Sequence, residues 1–388
     1  MTDPHRVRDA IPLPTGDAPV IARAERHDRY PIHVTHTFEG LIACLAGIAG
    51  PRLTILTDEN VDALYGATLV RGLRAAGLDP LVRAIPPGEG SKSLDQAVAL
   101  WHWLAESGAA RRDLLVAFGG GVIADLGGWV AAAYMRGIPY ATVPTTLLAQ
   151  VDGGLGGKVA VNHPLAKNLI GAFHQPSAVI SNVGFLRSTS ARHLRAGLAE
   201  AIKKAVIASP DYWAFIEAHA ESILTREPAA LERLVRAAAA IKTALVARDP
   251  YEDDLRRPLN FGHTIGHPLE TVTGYGPLLH GEAVALGMVV ESRIAAARGL
   301  LPRDLLERLL ALLRRCGLPT RAGELAAPVD GPSVLAAMEH VRLIRAGSLR
   351  WVLPVALGET EIADDVTEDE VRHALRDCGV PFPAAVMQ

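Results

Sequence analysis

The sequence predicts an α/β N-terminal domain, Rossmann-like with a mainly parallel sheet, followed by a mostly α-helical C-terminal domain. Three observations carry this expectation. Short β-rich runs alternate with helical patterns from about Tyr30 to Val183, apolar residues fall at helical spacing after about Ser188, and one apolar strand runs straight into Gly119, Gly120 and Gly121. At 388 residues the chain is long enough for two domains with separate cores. The expected division is an N-terminal extension over 1–30, rich in proline and charge, an α/β domain over 31–188 and a helical domain over 189–388.

In the first half the runs RLTILTD, PLVRAIPPG, DLLVAFGGG and IPYATVPTT read as strands, and VDALYGATLVRGLRAAG and LDQAVALWHWLAESG read as helices between them. In the second half HLRAGLAEAIKKAVIAS, DYWAFIEAHAESIL, LERLVRAAAAIKTALVAR, HGEAVALGMVVESRIAAARG and DLLERLLALLRRCG read as helices, and only LRWVLPV near the end reads as a strand. The apolar run Ala283 to Val290 stops at Glu291 and Arg293, well short of the roughly 20 apolar residues a membrane span needs, so it is expected to be a buried helix.

Apolar residues make up 49% of the chain and charged ones 21%, a globular balance, and the formal net charge of -3 gives no general attraction to nucleic acid or anionic membrane. Anion binding must therefore come from locally placed lysine and arginine, which favours a small ligand. Cys44, Cys316 and Cys378 show no CxxC spacing, so reduced thiols are expected. The first residues, MTDPHRVRDAIPLPTGDAP, hold no continuous apolar core of signal-peptide length, and a cytoplasmic location is expected.

Four constellations carry chemistry. Glycines after a strand let backbone amides approach a ligand, and the helix start that follows presents unpaired N–H groups suited to a pyrophosphate. Asp58, Asn60, Glu89, Lys92, Thr145 and Thr146 sit near the ends of other strands, where parallel sheets bind ligands. In QVDGGLGGKVAVNHPLAKN, Asp152, Lys158, Lys167 and Asn168 stand in a glycine-rich loop, with Arg136 upstream, and read as a phosphate or carboxylate cradle. Glu200, His263, His267 and His280 are metal candidates: the i,i+4 spacing puts His263 and His267 on one helical face, and three ligands with an open fourth position suit catalytic zinc. Spacing leaves open which of the two helix histidines ligates. Lys242, Glu252, Arg256 and Asn260 lie just ahead of His263 and are candidate substrate contacts.

Together GGGVIADLGGWVAAAYMRG, VPTTLLAQVDGGLGGKVAVNHPLAKNLIGAFHQP, GLAEAIKKAVI, LNFGHTIGHPLE and LLHGEAVALGM resemble 3-dehydroquinate synthase and its sugar phosphate cyclase relatives, over about Asp58 to Leu353. The resemblance implies an NAD-binding α/β domain, a helical domain, an active site in the cleft between them and a homodimer. It makes Glu200, His263 and His280 the ligands of a divalent metal, zinc or cobalt, and His267 a phosphate contact and proton-handling group. It places Lys158, Asn260 and a partner-derived Arg136 on the phosphate, Lys242 and Arg256 on a substrate carboxylate, and Asp152, Asn168, Lys203 and Glu252 on the hydroxyl side. The cofactor side becomes Asp58, Asn60, Glu89, Lys92, Gly120, Gly121, Asp125, Thr145, Thr146 and Lys167.

The implied reaction is conversion of 3-deoxy-D-arabino-heptulosonate 7-phosphate to 3-dehydroquinate, with NAD reduced and regenerated within one turnover. A secondary-metabolism cyclase acting on sedoheptulose 7-phosphate, glucose 6-phosphate or an amino analogue is the alternative. A glycerol dehydrogenase-like polyol oxidoreductase and a non-catalytic NAD-binding paralogue stand behind it. Three departures from the family pattern bear on this choice. Val341, Arg342 and Leu343 stand before Gly347 where the family has DKK, DGGLGGK replaces DSSVGGK, and Asp249, Pro250, Tyr251 and Glu252 replace DExE.

Overall fold

The computed structural model describes residues 28–163, 166–251, 254–344 and 349–383. Glu252, Arg345, Gly347 and nearly all of the expected extension lie outside the described residues, as do the side chains of Val341, Arg342 and Leu343.

The N-terminal half runs β1 (Ile32–Thr35), α1 (Phe38–Ile48), β2 (Leu53–Asp58), α2 (Glu59–Val61), a π-helical turn (Asp62–Gly66), α3 (Ala67–Ala75), β3 (Leu81–Ile85), α4 (Leu94–Glu106), β4 (Leu114–Gly119), α5 (Gly121–Ala133), β5 (Tyr140–Pro144), β6 (Lys158–His163), β7 (Ala166–Phe173) and β8 (Ala178–Asn182). Six strands form one parallel sheet in the order β1-β8-β5-β4-β2-β3. Strands β4, β5 and β8 are buried along their whole length, as continuous apolar runs covered on both faces must be, whereas β3 exposes Leu81 and Val82 at the sheet edge. From β2 the chain steps outward to β3, then returns to β4 on the other side of β2 and steps on to β5. A crevice therefore opens at the carboxyl ends of β2 and β4, where Asp58 and the three glycines lie.

One expectation is corrected here. The segment read as a glycine-rich loop is only partly a loop: Lys158 to Phe173 forms a two-stranded antiparallel ribbon, β6 with β7. Its strand character was hidden because the run between glycines is short and ends in polar residues.

The C-terminal half comprises α6 (Ala191–Ala208), α7 (Pro210–Leu224), α8 (Pro228–Arg248), α9 (His263–Val272), α10 (His280–Ala297), α11 (Arg303–Arg315), α12 (Gly331–Ile344), the hairpin β9 (Trp351–Ala356) and β10 (Glu359–Ala363), and α13 (Glu368–Asp377). Ser190 caps α6 by accepting from the His193 amide, and Ser209 caps α7 by accepting from the Tyr212 amide, with Pro210 in the first turn. Its largest apolar cluster is centred on α6 and α10 and takes in Leu147, Val151 and Val183 from the first half, so apolar packing runs across residue 188.

Helix α10 is buried and runs past the end of its apolar stretch, as expected. It ends at Ala297, and Glu291 within it is wholly buried, its carboxylate accepting the backbone N–H groups of Gly262 (2.8 Å) and Thr264 (3.2 Å) at the start of α9. Burial still pushes Glu291 up to about 8, against those hydrogen bonds. Helix α10 also lies backbone to backbone on its neighbours: a Cβ on Gly281 would sit 1.8 Å from the Ala196 carbonyl oxygen of α6, and one on Gly287 would sit 1.9 Å from the Gly262 carbonyl oxygen. Only glycine permits that approach. Among the described residues no helix is long and apolar enough to cross a membrane.

Candidate active site

A cleft of about 1470 Å³ is lined by residues from the carboxyl ends of the sheet, the β6/β7 ribbon and the starts of α9 and α10. It gathers nearly every residue singled out from the sequence. Glu200 lies just behind its wall, Glu252 falls outside the described residues, and Arg136 is exposed away from the cleft of its own chain, after a backbone with positive φ at both Met135 and Arg136.

At the helical end, Glu200 projects from the buried face of α6, while His263 and His280 are the first residues of α9 and α10. The Nε2 atoms of both histidines lie 3.6 Å from Glu200 Oε1, and all three ligand atoms fall within 4.8 Å of one another. Glu200 Oε1 is buried and has no hydrogen-bond partner, whereas Oε2 meets Lys203 Nζ at 2.6 Å and Lys204 Nζ at 3.3 Å. A buried carboxylate oxygen left open toward two imidazoles is costly unless a cation fills the gap.

The outer nitrogens of the rings fit that reading. His263 Nδ1 donates to the Phe261 carbonyl (3.1 Å) and His280 Nδ1 to Glu270 (3.0 Å), which turns both Nε2 lone pairs toward Glu200. His267 groups instead with Glu270 and His280, but Glu270 is already bonded to His280, so it acts there as an outer partner. It is His263, not His267, whose Nε2 lies against Glu200 Oε1.

The electrostatics agree. Burial opposes the charge on Glu200, but Lys203 and Lys204 hold it well below the carboxylate range. Burial likewise opposes a charged His280, yet Glu200 and Glu270 lift it to about 10, while burial and Lys203 push His263 well down.

Next to this corner, Asp152 has both carboxylate oxygens engaged, Oδ1 by Lys204 (2.5 Å) and Oδ2 by Lys242 (3.1 Å); Lys242 also donates to the Asp152 carbonyl (2.7 Å). Burial opposes ionisation of Asp152, but the two lysines hold it far below its usual range. Burial brings Lys242 down to about 8 in spite of Asp152. Arg256 is 2% exposed, its guanidinium 5.5 Å from the centre of the Phe173 ring. Lys158, Asn260 and His267 face the cleft between these groups and the sheet.

At the sheet end, Gly120 and Gly121 open α5 with no side-chain cap, leaving its first amides toward the cleft, and a Cβ on Gly121 would meet no protein atom within 4 Å. Thr145 and Thr146 follow β5 alongside, and Asp58 lines the crevice while capping α2 through the Val61 amide (3.0 Å). Lys92 bonds to both Asp125 and Asn168. Asn168, expected beside the substrate hydroxyls, therefore shares Lys92 with Asp125. Lys167 pairs with Glu270 (3.4 Å) and sits 4.3 Å from the centre of the Tyr275 ring.

Sequence reasoning missed four residues. Glu270 stands three residues after His267, a spacing that puts it on the same helical face. Lys204 is the i+4 neighbour of Glu200, hidden beside Lys203. Asn162 ties the ribbon to Glu89 (2.7 Å) and to the Asn168 amide (3.0 Å). Glu291 was read only as the point where an apolar run stops.

Fold and site together define an α/β–α protein with one large cleft, a dipole-lined glycine turn at one end and a carboxylate–imidazole corner at the other. Family models identify which such protein: 3-dehydroquinate synthase N-terminal matches residues 82–196, and 3-dehydroquinate synthase C-terminal matches 197–342. The chain belongs to the 3-dehydroquinate synthase family and is an enzyme. It is 54% identical over 372 residues to a 2-epi-valiolone synthase of Actinosynnema mirum, covering 96% of this chain and 97% of that one. It is 43% identical over 355 residues to a 3-dehydroquinate synthase of Symbiobacterium thermophilum, covering 90% and 97%. Among solved structures it is similar to ValA, a 2-epi-5-epi-valiolone synthase from Streptomyces hygroscopicus with NAD+ and Zn2+ bound, at 31% identity and TM-score 0.85 over 92% of this chain and 99% of that one.

Proposed function

We propose that this enzyme is a secondary-metabolism sugar phosphate cyclase of the 2-epi-valiolone synthase kind, closing sedoheptulose 7-phosphate to a seven-carbon carbocycle with loss of phosphate. The observation that carries this reading is the 54% identity to the Actinosynnema mirum enzyme along nearly the whole of both chains. The site supports it. Lys242, the expected carboxylate anchor, already has its charge matched by Asp152, which suits a substrate such as sedoheptulose 7-phosphate that lacks a carboxylate. The replacement of DKK by Val341, Arg342 and Leu343 points the same way.

Glu200, His263 and His280 would hold a divalent ion, zinc or cobalt, and the α5 start with Gly120, Gly121, Thr145 and Thr146 would hold NAD. Those groups supply hydride exchange at a sugar carbon and polarisation of its oxygen. The chain's own residues do the rest. Lys158 and Asn260 hold the phosphate, helped by Arg136 from a second copy in a homodimer, and His267 beside them handles the proton that leaves with it. Asp152 and Lys203 orient the hydroxyls next to the metal corner. The cytoplasm is the expected compartment, and residues 31–188 and 189–388 are the two lobes around the cleft.

Incubation of the purified enzyme with NAD+ and Zn2+ or Co2+ separates the readings. Phosphate release and a new carbocycle from sedoheptulose 7-phosphate, without NADH accumulation, are expected. Turnover of 3-deoxy-D-arabino-heptulosonate 7-phosphate instead would overturn the substrate choice. That second reading keeps one observation in its favour, since Lys242 and Arg256 are both present at the cleft.

A further inference from the structure

We propose that Lys204 is a positioning residue that selects which oxygen of Glu200 faces the metal and ties that choice to Asp152 in the substrate cleft. The inference rests on the metal reading of Glu200, His263 and His280 and not on the identity of the sugar.

Lys204 is wholly buried on α6, one turn after Glu200. A buried lysine is expensive unless its charge is matched, and here it is matched twice, by Asp152 Oδ1 at 2.5 Å and by Glu200 Oε2 at 3.3 Å. Lys203 adds a second cation to the same Glu200 oxygen at 2.6 Å. With Oε2 held by two ammonium groups, rotation of the carboxylate is blocked, and Oε1 alone is left toward the two imidazoles. The outcome is a monodentate carboxylate ligand whose orientation is set from outside the metal's own contacts. Asp152 cannot drift from Lys204 either, because Lys242 holds its other oxygen. A shift of Asp152 would therefore be transmitted through Lys204 to the metal ligand.

A lysine acting only as a buried charge would repel a divalent ion, and removing it would tighten the metal. A positioning role predicts the reverse. In Lys204→Met, Co2+ affinity should fall by about 10- to 100-fold, the range for lost outer partners of metal ligands, and the visible d–d bands of the Co2+ enzyme should weaken as Glu200 turns to offer both oxygens. Asp152→Asn keeps the shape of the side chain and touches no proposed ligand, so it serves if Lys204→Met does not fold; it should shift the same bands in the same direction by a smaller amount.

Unchanged bands with equal or tighter Co2+ binding in both variants would overturn the proposal while leaving the metal reading intact. Failure of the unaltered enzyme to bind Co2+ would overturn both.

Discussion

At the helical end of the cleft each group of the proposed metal corner is fixed by a further partner: His263 by the Phe261 carbonyl, His280 by Glu270, and Glu200 by two lysines. At the sheet end the chain offers uncapped amides at the start of α5 and, at Gly121, a direction free of protein atoms. One end is organised by side chains that constrain one another, the other by strand order and by the omission of side chains. Damage should therefore spread differently. A change at the helical end disturbs neighbours and chemistry together, whereas a change at the sheet end alters occupancy and leaves the fold alone.

The sharpest break in this contrast is removal of a ligand. Glu200→Ala or His263→Ala should cut turnover on the order of a thousandfold or more, with loss of bound metal seen by elemental analysis, since polarisation by the ion contributes several kcal/mol to such steps. Retained metal in both variants would erase the distinction between the two ends. Next in size, Glu270→Gln should weaken metal affinity by about 10- to 100-fold, because His280 loses the carboxylate that orients it. A Zn2+ competition titration reads this directly, and an unchanged constant would reduce Glu270 to a partner of Lys167.

At the sheet end, Gly121→Ala should leave the thermal midpoint within about 2 °C of the parent, since a Cβ there meets nothing within 4 Å, yet raise the KM for NAD+ severalfold. A large drop in midpoint would show that the turn is a packing element. The smallest effect concerns protonation. Lys242 is depressed to about 8, so it is cationic below that pH and loses its charge as pH rises through it, whereas in the unfolded chain it keeps its proton to about 10.4. The KM for sugar phosphate should rise severalfold from about pH 7 to about pH 9, because Asp152 beside the hydroxyls loses the cation that holds it, a limb that Lys242→Met abolishes. Over the interval from about 8 to about 10.4 the unfolded chain binds more protons, so this group's contribution to stability rises with pH there.

Much of this was legible in the sequence, for physical reasons. Buried parallel strands such as LLVAFG are continuous apolar runs, and long helices such as α8 and α11 show their period over several turns, so both declare themselves. The ribbon β6/β7 did not, because glycines and polar residues mask two short strands that only their mutual pairing reveals. The metal corner was readable as a set, through the histidine motifs and their order. Its outer partners were not: nothing local tells that Glu291 on α10 caps α9, or that Lys204 spans from α6 to Asp152, since both depend on how distant elements pack. The departures near Gly347 and in DGGLGGK weakened the heptulosonate reading without displacing it, and it is the relatives that weight the alternative more heavily.

The glycines of α10 bear on how such an enzyme diversifies. Because Gly281 and Gly287 let α10 touch α6 and the start of α9 through main chain, the distances among the three helices that carry Glu200, His263 and His280 are inherited from backbone contact. A single methyl at Gly287 would wedge two of them apart and split the ion's seat without altering any ligand. Conversely, substitutions on the cleft walls leave those main-chain contacts, and with them the spacing of the proposed seat, untouched.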